Sequence, residues 1–144
     1  MKTYVLDTSV VLKWYNQKNE DCVNEALAVL MDLKNEAISI IVPNLLIIEL
    51  INVFIKGKHL SIEEIQELTS SFFNLPVINK EPSIGVISKL SELSYKYNIT
   101  AYDSLYLALA YEEECQLISA DAKGHGKVHD DSVIMLKDYK SPTK

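Results

Sequence analysis

Asp7, Glu49, Asp103 and Asp121 are the residues on which a chemistry can be built, and each also has an ordinary structural role open to it. Asp7 interrupts the apolar run YVLDTSVVL (Tyr4 to Leu12). Placed between a strand-like stretch and a helix, it suits an N-cap, a job that Thr8 or Ser9 would do as well. Asp121 ends LISAD and reads as a turn residue or cap. In TAYD, Thr100 and Asp103 have capping-box spacing, and a helix N-terminus favours a negative charge. Glu49 is harder to explain, because nine of the eleven residues in LLIIELINVFI (Leu45 to Ile55) are apolar. Such a pattern predicts a helix buried all round, with Asn52 on the face that carries Glu49. A buried carboxylate without a partner costs several kcal/mol or takes up a proton, so a lysine, a groove at a dimer edge or a cation has to compensate it.

Capping explains the acids one at a time. It does not explain why two strands end in an acid while two buried helices carry one each. If the strands are parallel, Asp7 and Asp121 leave the same edge of the sheet. At about 4 Å and an effective dielectric near 20, two carboxylates repel by roughly 4 kcal/mol. Four converging acids therefore imply protonation or bound cations. With only oxygen ligands and no His or Cys at a matching position, the expected ion is Mg²⁺ or Mn²⁺, shared with substrate phosphates.

The elements that must position these acids follow from periodicity and punctuation. Strands are expected at Lys2 to Leu6, Ile38 to Val42, Val77 to Ile78, Gln116 to Ser119 and Val133 to Leu136. Helices are expected at Val10 to Tyr15, Asn19 to Lys34, and from Pro43 to the break at Gly57. A further helix starts at the Ser61/Glu64 capping box and stops at Pro76. The next begins at Glu81-Pro82 with Ile84, Ile87, Leu90 and Leu93 facing inward and ends at Asn98, and the last runs from Thr100 to about Glu114. Residues 121–131 read as an exposed polar loop containing His125, His129, Asp130 and Asp131. Alternating strands and helices predict an α/β domain with a mostly parallel sheet between two helical layers, whose site lies beyond the carboxyl ends of the strands. One domain is expected over residues 1–137, followed by a mobile polar tail over 138–144.

At 48% hydrophobic and 24% charged, the composition is that of a folded water-soluble chain, without a stretch of the roughly 18 apolar residues that a membrane span needs. The N-terminus has no signal-like pattern, so the expected location is the cytoplasm. Cys22 and Cys115 form no CxxC pair and read as reduced, packed thiols. A net charge of −6, with all 14 basic residues lysine, argues against a nucleic-acid binder until the charge is located. Without the four acids it falls to −2, and Lys13, Lys56, Lys58 and His59 follow two of the site segments as a candidate basic rim. Lys123 and Lys127 are further candidates to guide the phosphates of a substrate.

Taken together, VLDTSVVLKW, PNLLIIELINV, ITAYDSLYLALA and LISAD resemble the PIN-domain ribonucleases, and among them the VapC-like toxins of toxin–antitoxin pairs. The resemblance spans nearly the whole chain and implies a three-layer α/β/α fold. It implies that Asp7, Glu49, Asp103 and Asp121 hold one or two divalent ions, with Ser9 supporting the first acid and Asn52 beside the second. Asp7, Asp103 and Asp121 would be the direct ligands, with Glu49 acting through water. The implied activity is endoribonuclease cleavage by activated water, leaving a 5′-phosphate and a 3′-hydroxyl. A homodimer and an inhibitory antitoxin are the implied partners, besides the RNA substrate. The chain departs from the family in AKGHGKVHDD after Asp121, which is more glycine-rich than the helical turn expected there. That departure leaves a second reading open, a catalytically weak PIN-like module that binds RNA or a protein. A phosphatase reading is disfavoured because Ser9 stands where an Asp-x-Asp pair needs its second acid, and a receiver reading because an acidic pair before the end of the first strand and a lysine after the last are not found in order.

Overall fold

The structure, a computed structural model, describes residues 1–143. Five strands form one sheet: β1 (Lys2–Leu6), β2 (Ile38–Pro43), β3 (Val77–Lys80), β4 (Gln116–Ser119) and β5 (Val133–Met135). Their spatial order is β3-β2-β1-β4-β5 and every pairing is parallel. The six α-helices are α1 (Thr8–Tyr15), α2 (Val23–Lys34), α3 (Leu45–Lys56), α4 (Ile62–Phe73), α5 (Ile84–Tyr97) and α6 (Ala101–Glu112). The expected three-layer α/β/α architecture is observed.

The strand order places the site. From β1 the chain moves outward through β2 to β3, and it returns on the other side of β1 with β4 and β5. The direction of winding therefore reverses between β1 and β4, and at such a switch point a crevice opens beyond the carboxyl ends of the strands. Asp7 directly follows β1, and Asp121 stands two residues after β4. Registry fixes this relation, with Tyr4 to Leu6 paired to Gln116 to Ile118 and Asp7 N–H donating to Ile118 O at 3.1 Å.

The helix beneath the crevice is α6. Every residue from Ser104 to Ala110 is buried, and the helix packs on β1, β2, β4 and α5. Burying Leu105, Leu107 and Leu109 contributes about 1.5–3 kcal/mol each before the entropy of ordering, so the helix start is held firmly. Among the described residues no helix is long and apolar enough to cross a membrane. Cys22 and Cys115 are free, partly buried thiols.

Several expectations are corrected. Pro43 closes β2 opposite Lys80, and α3 starts after it, at Leu45. Cys22 sits in the left-handed region (φ 51°), so α2 starts at Val23 and not at Asn19. Helix α3 is not buried all round: Ile48 and Ile55 face outward while Leu46, Leu50 and Phe54 face the core. Helix α5 begins at Ile84 after the Ser83 cap, and it packs through Val86, Leu90, Leu93 and Tyr97. Ile84 and Ile87, expected inside, are exposed, because α5 has α6 on one side and solvent on the other. The segment after Lys137 is docked: Tyr139 meets Tyr4 edge-on and donates its hydroxyl to the buried Asp32 carboxylate at 2.7 Å, while Ser141 donates to the second oxygen at 2.8 Å. Lys144 lies outside the described residues.

Candidate active site

Asp7, Ser9, Glu49, Asn52, Asp103 and Asp121 all line one open pocket of about 430 Å³ at the carboxyl edge of the sheet. They come from five places in the chain: the β1 end, α1, α3, the first turn of α6 and the turn after β4.

Asp7 is both a cap and a pocket residue. It is the N-cap of α1, and Oδ2 accepts from the Ser9 backbone N–H at 3.2 Å and from the Ser9 hydroxyl at 2.5 Å. The Ser9 oxygen in turn accepts the Ala120 N–H at 3.0 Å, tying the end of β1 to the end of β4. Asp103 stands in the first turn of α6. Thr100 caps that turn by accepting the Asp103 N–H at 3.1 Å, and the Asp103 carboxylate faces the pocket. Burial pushes the Asp103 carboxyl above the ordinary range; His125 opposes the rise, while Asp121 and Asp7 add to it.

Glu49 answers the question its sequence context poses. Its compensation is a phenol and a hydroxyl, with no lysine involved. Tyr106 of α6 donates to Oε1 at 2.5 Å, and Thr8 Oγ1 lies 3.1 Å from that oxygen and 2.7 Å from the Tyr106 hydroxyl. Burial still holds the Glu49 carboxyl above its usual value, against the pull of those two bonds, and the charges of Asp7 and Asp103 raise it further. The Tyr106 phenol is pushed strongly upward by its own burial and by the Glu49 carboxylate, so it remains a donor.

Gly124 explains the glycine-rich loop. Its backbone N–H donates to Asp121 Oδ1 at 3.0 Å. A Cβ at this position would collide with Oδ2 of Asp121 and with Oδ2 of Asp103, so any larger residue forces those carboxylates to shift. His125, expected in an exposed loop, is completely buried; the expectation holds for His129 and fails for its neighbour. Asp130 and Asp131 are exposed.

Lys13 is the other correction. Expected on a basic rim, it is buried and paired with Glu20 at 3.2 Å and Asp21 at 3.1 Å. Burial pulls its ammonium downward, but the Asp21 and Glu20 carboxylates outweigh that and leave it above the usual lysine value. Lys58 approaches the same Glu20 at 4.0 Å, whereas Lys56, His59 and Lys123 are exposed. Lys127, also exposed, donates to Asn98 O at 2.7 Å.

A family model for the PIN domain matches residues 4–128. The chain belongs to the PIN domain family. No curated protein sequence matches it, but solved structures do. A toxin–antitoxin complex from Klebsiella pneumoniae superposes with a TM-score of 0.69 at 16% identity, covering 94% of this chain and 99% of that one. VapC20 of Mycobacterium tuberculosis, a sarcin-ricin-loop-cleaving toxin, gives 0.64 at 10% identity over 81% and 87%. VapBC2 of Rickettsia felis, bound to a promoter DNA fragment, gives 0.65 at 20% identity over 92% and 96%. At these identities the likeness is one of fold. PIN-domain nucleases are hydrolases acting on nucleic acids, and they generally use divalent metals.

The donor set of this PIN domain fits such a metal. Hard carboxylate oxygens gather in a half-buried pocket where burial disfavours the charged form of two of the acids, and a divalent ion offsets that cost. Among the described residues one trio has potential ligand atoms within 4.8 Å of one another: Asp7, Asp103 and His125. The two aspartates offer oxygens to the pocket, but both His125 nitrogens are engaged elsewhere, Nε2 with Asp103 O and Nδ1 with Ser119 Oγ, each at 2.8 Å. Sequence reasoning missed His125, Tyr106 and Thr8. For Tyr106 a signal existed, since it lies three residues after Asp103 on a buried helix and its hydroxyl needed a partner.

Proposed function

We propose that this PIN domain is a Mg²⁺- or Mn²⁺-dependent endoribonuclease and the toxin of a type II toxin–antitoxin pair. The observation that carries the reading is the convergence of Asp7, Glu49, Asp103 and Asp121 on one pocket at the β1/β4 switch point. Asp7, Asp103 and Asp121 would hold the ion directly, and Glu49 through water. When bound, a divalent ion supplies charge for the non-bridging and leaving oxygens of a phosphodiester and lowers the pKa of the attacking water.

The chain's own residues do the rest. Ser9 orients the Asp7 carboxylate by two bonds, so that one Asp7 oxygen is fixed and the other is free for the pocket. Tyr106 and Thr8 hold Glu49 Oε1, leaving Oε2 to accept a hydrogen bond from water. Asn52, exposed on the same face of α3, is placed to donate to a phosphate or sugar oxygen. The products would carry a 5′-phosphate and a 3′-hydroxyl. An antitoxin that covers the pocket would inhibit the enzyme, and the neighbours solved as toxin–antitoxin complexes support that partner. A homodimer and a cytoplasmic location complete the proposal. The loop after Asp121, which on sequence favoured a weak binding module, closes Gly124 onto two of the acids and so supports the enzyme.

The test is end-mapped RNA digestion with Mg²⁺, with and without chelator, comparing the native protein with Asp103→Asn. The expected result is cleavage that requires the metal and is lost in the variant. Equal cleavage by both proteins, or cleavage that survives chelation, overturns the reading.

A further inference from the structure

His125 has no solvent exposure, and its ring is satisfied on both sides. A carbonyl oxygen only accepts, so the 2.8 Å bond between Nε2 and Asp103 O places a proton on Nε2. The other ring nitrogen, Nδ1, shares a hydrogen bond with the Ser119 hydroxyl, 2.8 Å away. Ser119 has one proton to give. It is shared between His125 Nδ1 and Asp7 Oδ2, the latter a long contact at 3.5 Å. The same Ser119 oxygen accepts the Asp121 N–H at 3.1 Å. On another side, the imidazole meets Tyr106 edge-on, with 6.1 Å between ring centroids, and Tyr106 is the phenol that holds Glu49.

One ring is therefore connected to all four acids. It bonds the Asp103 backbone, reaches Asp121 through Ser119, backs the Tyr106–Glu49 pair and lies 4.0 Å from Asp7 Oδ2. A metal ligand needs a free lone pair, and neither nitrogen offers one to the pocket: Nε2 carries a proton and Nδ1 is engaged with the Ser119 hydroxyl. We propose that His125 is a positioning residue that fixes the spacing of the acidic pocket from behind, tying the start of α6 to the end of β4, and that it is not a ligand of the bound ion. The proposal rests on the reading of the pocket as a divalent-cation site. Its physical basis is that like charges held close repel and drift apart unless the backbone that carries them is clamped. A clamped set is already in place when the ion arrives; a relaxed one has to be drawn together at the expense of affinity. Loss of such supporting partners typically costs about 10–100-fold in metal affinity.

The experiment is calorimetric titration of Mn²⁺ into the native protein, His125→Phe, His125→Gln, Ser119→Ala and Val29→Ala, with the metal-free melting midpoint measured for each. Phe keeps the ring bulk and the contact with Tyr106 but removes both bonds, while Gln restores a donor towards the Asp103 carbonyl. Val29 is a buried residue of α2 outside the pocket, so Val29→Ala reports what loss of stability alone does. The expected result is about 10–100-fold weaker Mn²⁺ binding in His125→Phe with unchanged stoichiometry, partial recovery in His125→Gln, and native affinity in Val29→Ala. Ser119→Ala should weaken binding in the same direction and carries the test if His125→Phe does not fold. Native affinity in the His125 or Ser119 variants overturns the positioning role, as does an equal loss in a Val29→Ala protein of equal melting midpoint. Pulsed electron paramagnetic resonance on bound Mn²⁺ should show no coordinated histidine nitrogen, and a coordinated one overturns the exclusion of His125 as a ligand. A native protein that binds no Mn²⁺ overturns the site reading itself, and this proposal with it.

Discussion

At the amino ends of the strands, Glu113, Glu114, Asp130 and Asp131 surround a groove of about 750 Å³, larger than the roughly 430 Å³ pocket at the carboxyl ends. Each end of the sheet thus gathers four acids, but their circumstances are opposite. At the amino end the acids are exposed or paired: Lys80 bonds Glu113 at 2.5 Å, and hydrogen bonds from Ser132 hold the Asp130 carboxyl below its usual range. At the carboxyl end, burial raises Glu49 and Asp103, and the neighbouring acids raise them further. Neither size nor charge count distinguishes a site here. What distinguishes it is a pair of carboxyls, Glu49 and Asp103, whose charged form is disfavoured by burial and by neighbouring acids, a cost that a cation can offset.

Four measurements would break or sharpen this contrast. The largest effect is expected in initial rates of RNA cleavage: Asp7→Asn or Asp103→Asn should lower them about 100-fold or more, and Asp131→Asn should leave them unchanged. Similar losses at both ends would erase the distinction. Next comes Gly124→Ala, whose Cβ meets two carboxylates; a loss of about 1–3 kcal/mol is expected in urea unfolding, as for other overpacked sites. Gly126→Ala, with its nearest contacts at 3.7 Å, should stay within about 0.5 kcal/mol of the native protein.

A smaller effect is expected from pH on the metal-free protein. Glu49 and Asp103 have raised folded-state pKa values, so between the ordinary carboxylate range, about 4, and those values the folded state binds more protons than the unfolded chain. Their contribution to stability therefore declines as pH rises through that window, and the penalty is complete above it. Asp103→Asn should raise the melting midpoint of chelator-treated protein at pH 7, with the gain shrinking on acidification. A lowered midpoint at pH 7 would mean the acid is stabilising and the pocket is not strained. The smallest effect belongs to the amino end. Asp130, with its depressed pKa, contributes stability above the unfolded value that is lost as pH falls through the folded one; Asp130→Asn should change the midpoint only marginally.

The acids and the sheet were legible because their signals are local. Asp7 and Asp121 follow runs long enough to be strands, and Glu49 sits in an apolar helix with only Asn52 for polar company. Parallel order placed them on one edge, and the observed registry between β1 and β4 brings those ends together. The failures came where tertiary context decides. The stripe Ile84–Ile87–Leu90 is a sound helical face, but α5 packs through Val86, Leu90 and Leu93 because α6 lies on that side. A histidine between two glycines reads as solvent loop, and nothing local reveals that Asp103 O and Ser119 Oγ await it. Lys13 likewise became an interior partner of Glu20 and Asp21 when the chain before α2 folded back over α1. None of these contacts has a spacing rule, since each joins segments whose approach is set by the whole sheet.

The β1/β4 junction also has a consequence for synthesis. Ser119 and Asp7 are 112 residues apart in the chain, yet the Ser9 and Ser119 hydroxyls stitch them into one wall. A nascent chain that has not yet emerged through β4 carries Asp7, Glu49 and Asp103 without the strand that aligns them. The same holds for any fragment cut before Gln116. Long-range parallel pairing is slow to form. The pocket is therefore completed late, when nearly all of the chain is available to fold.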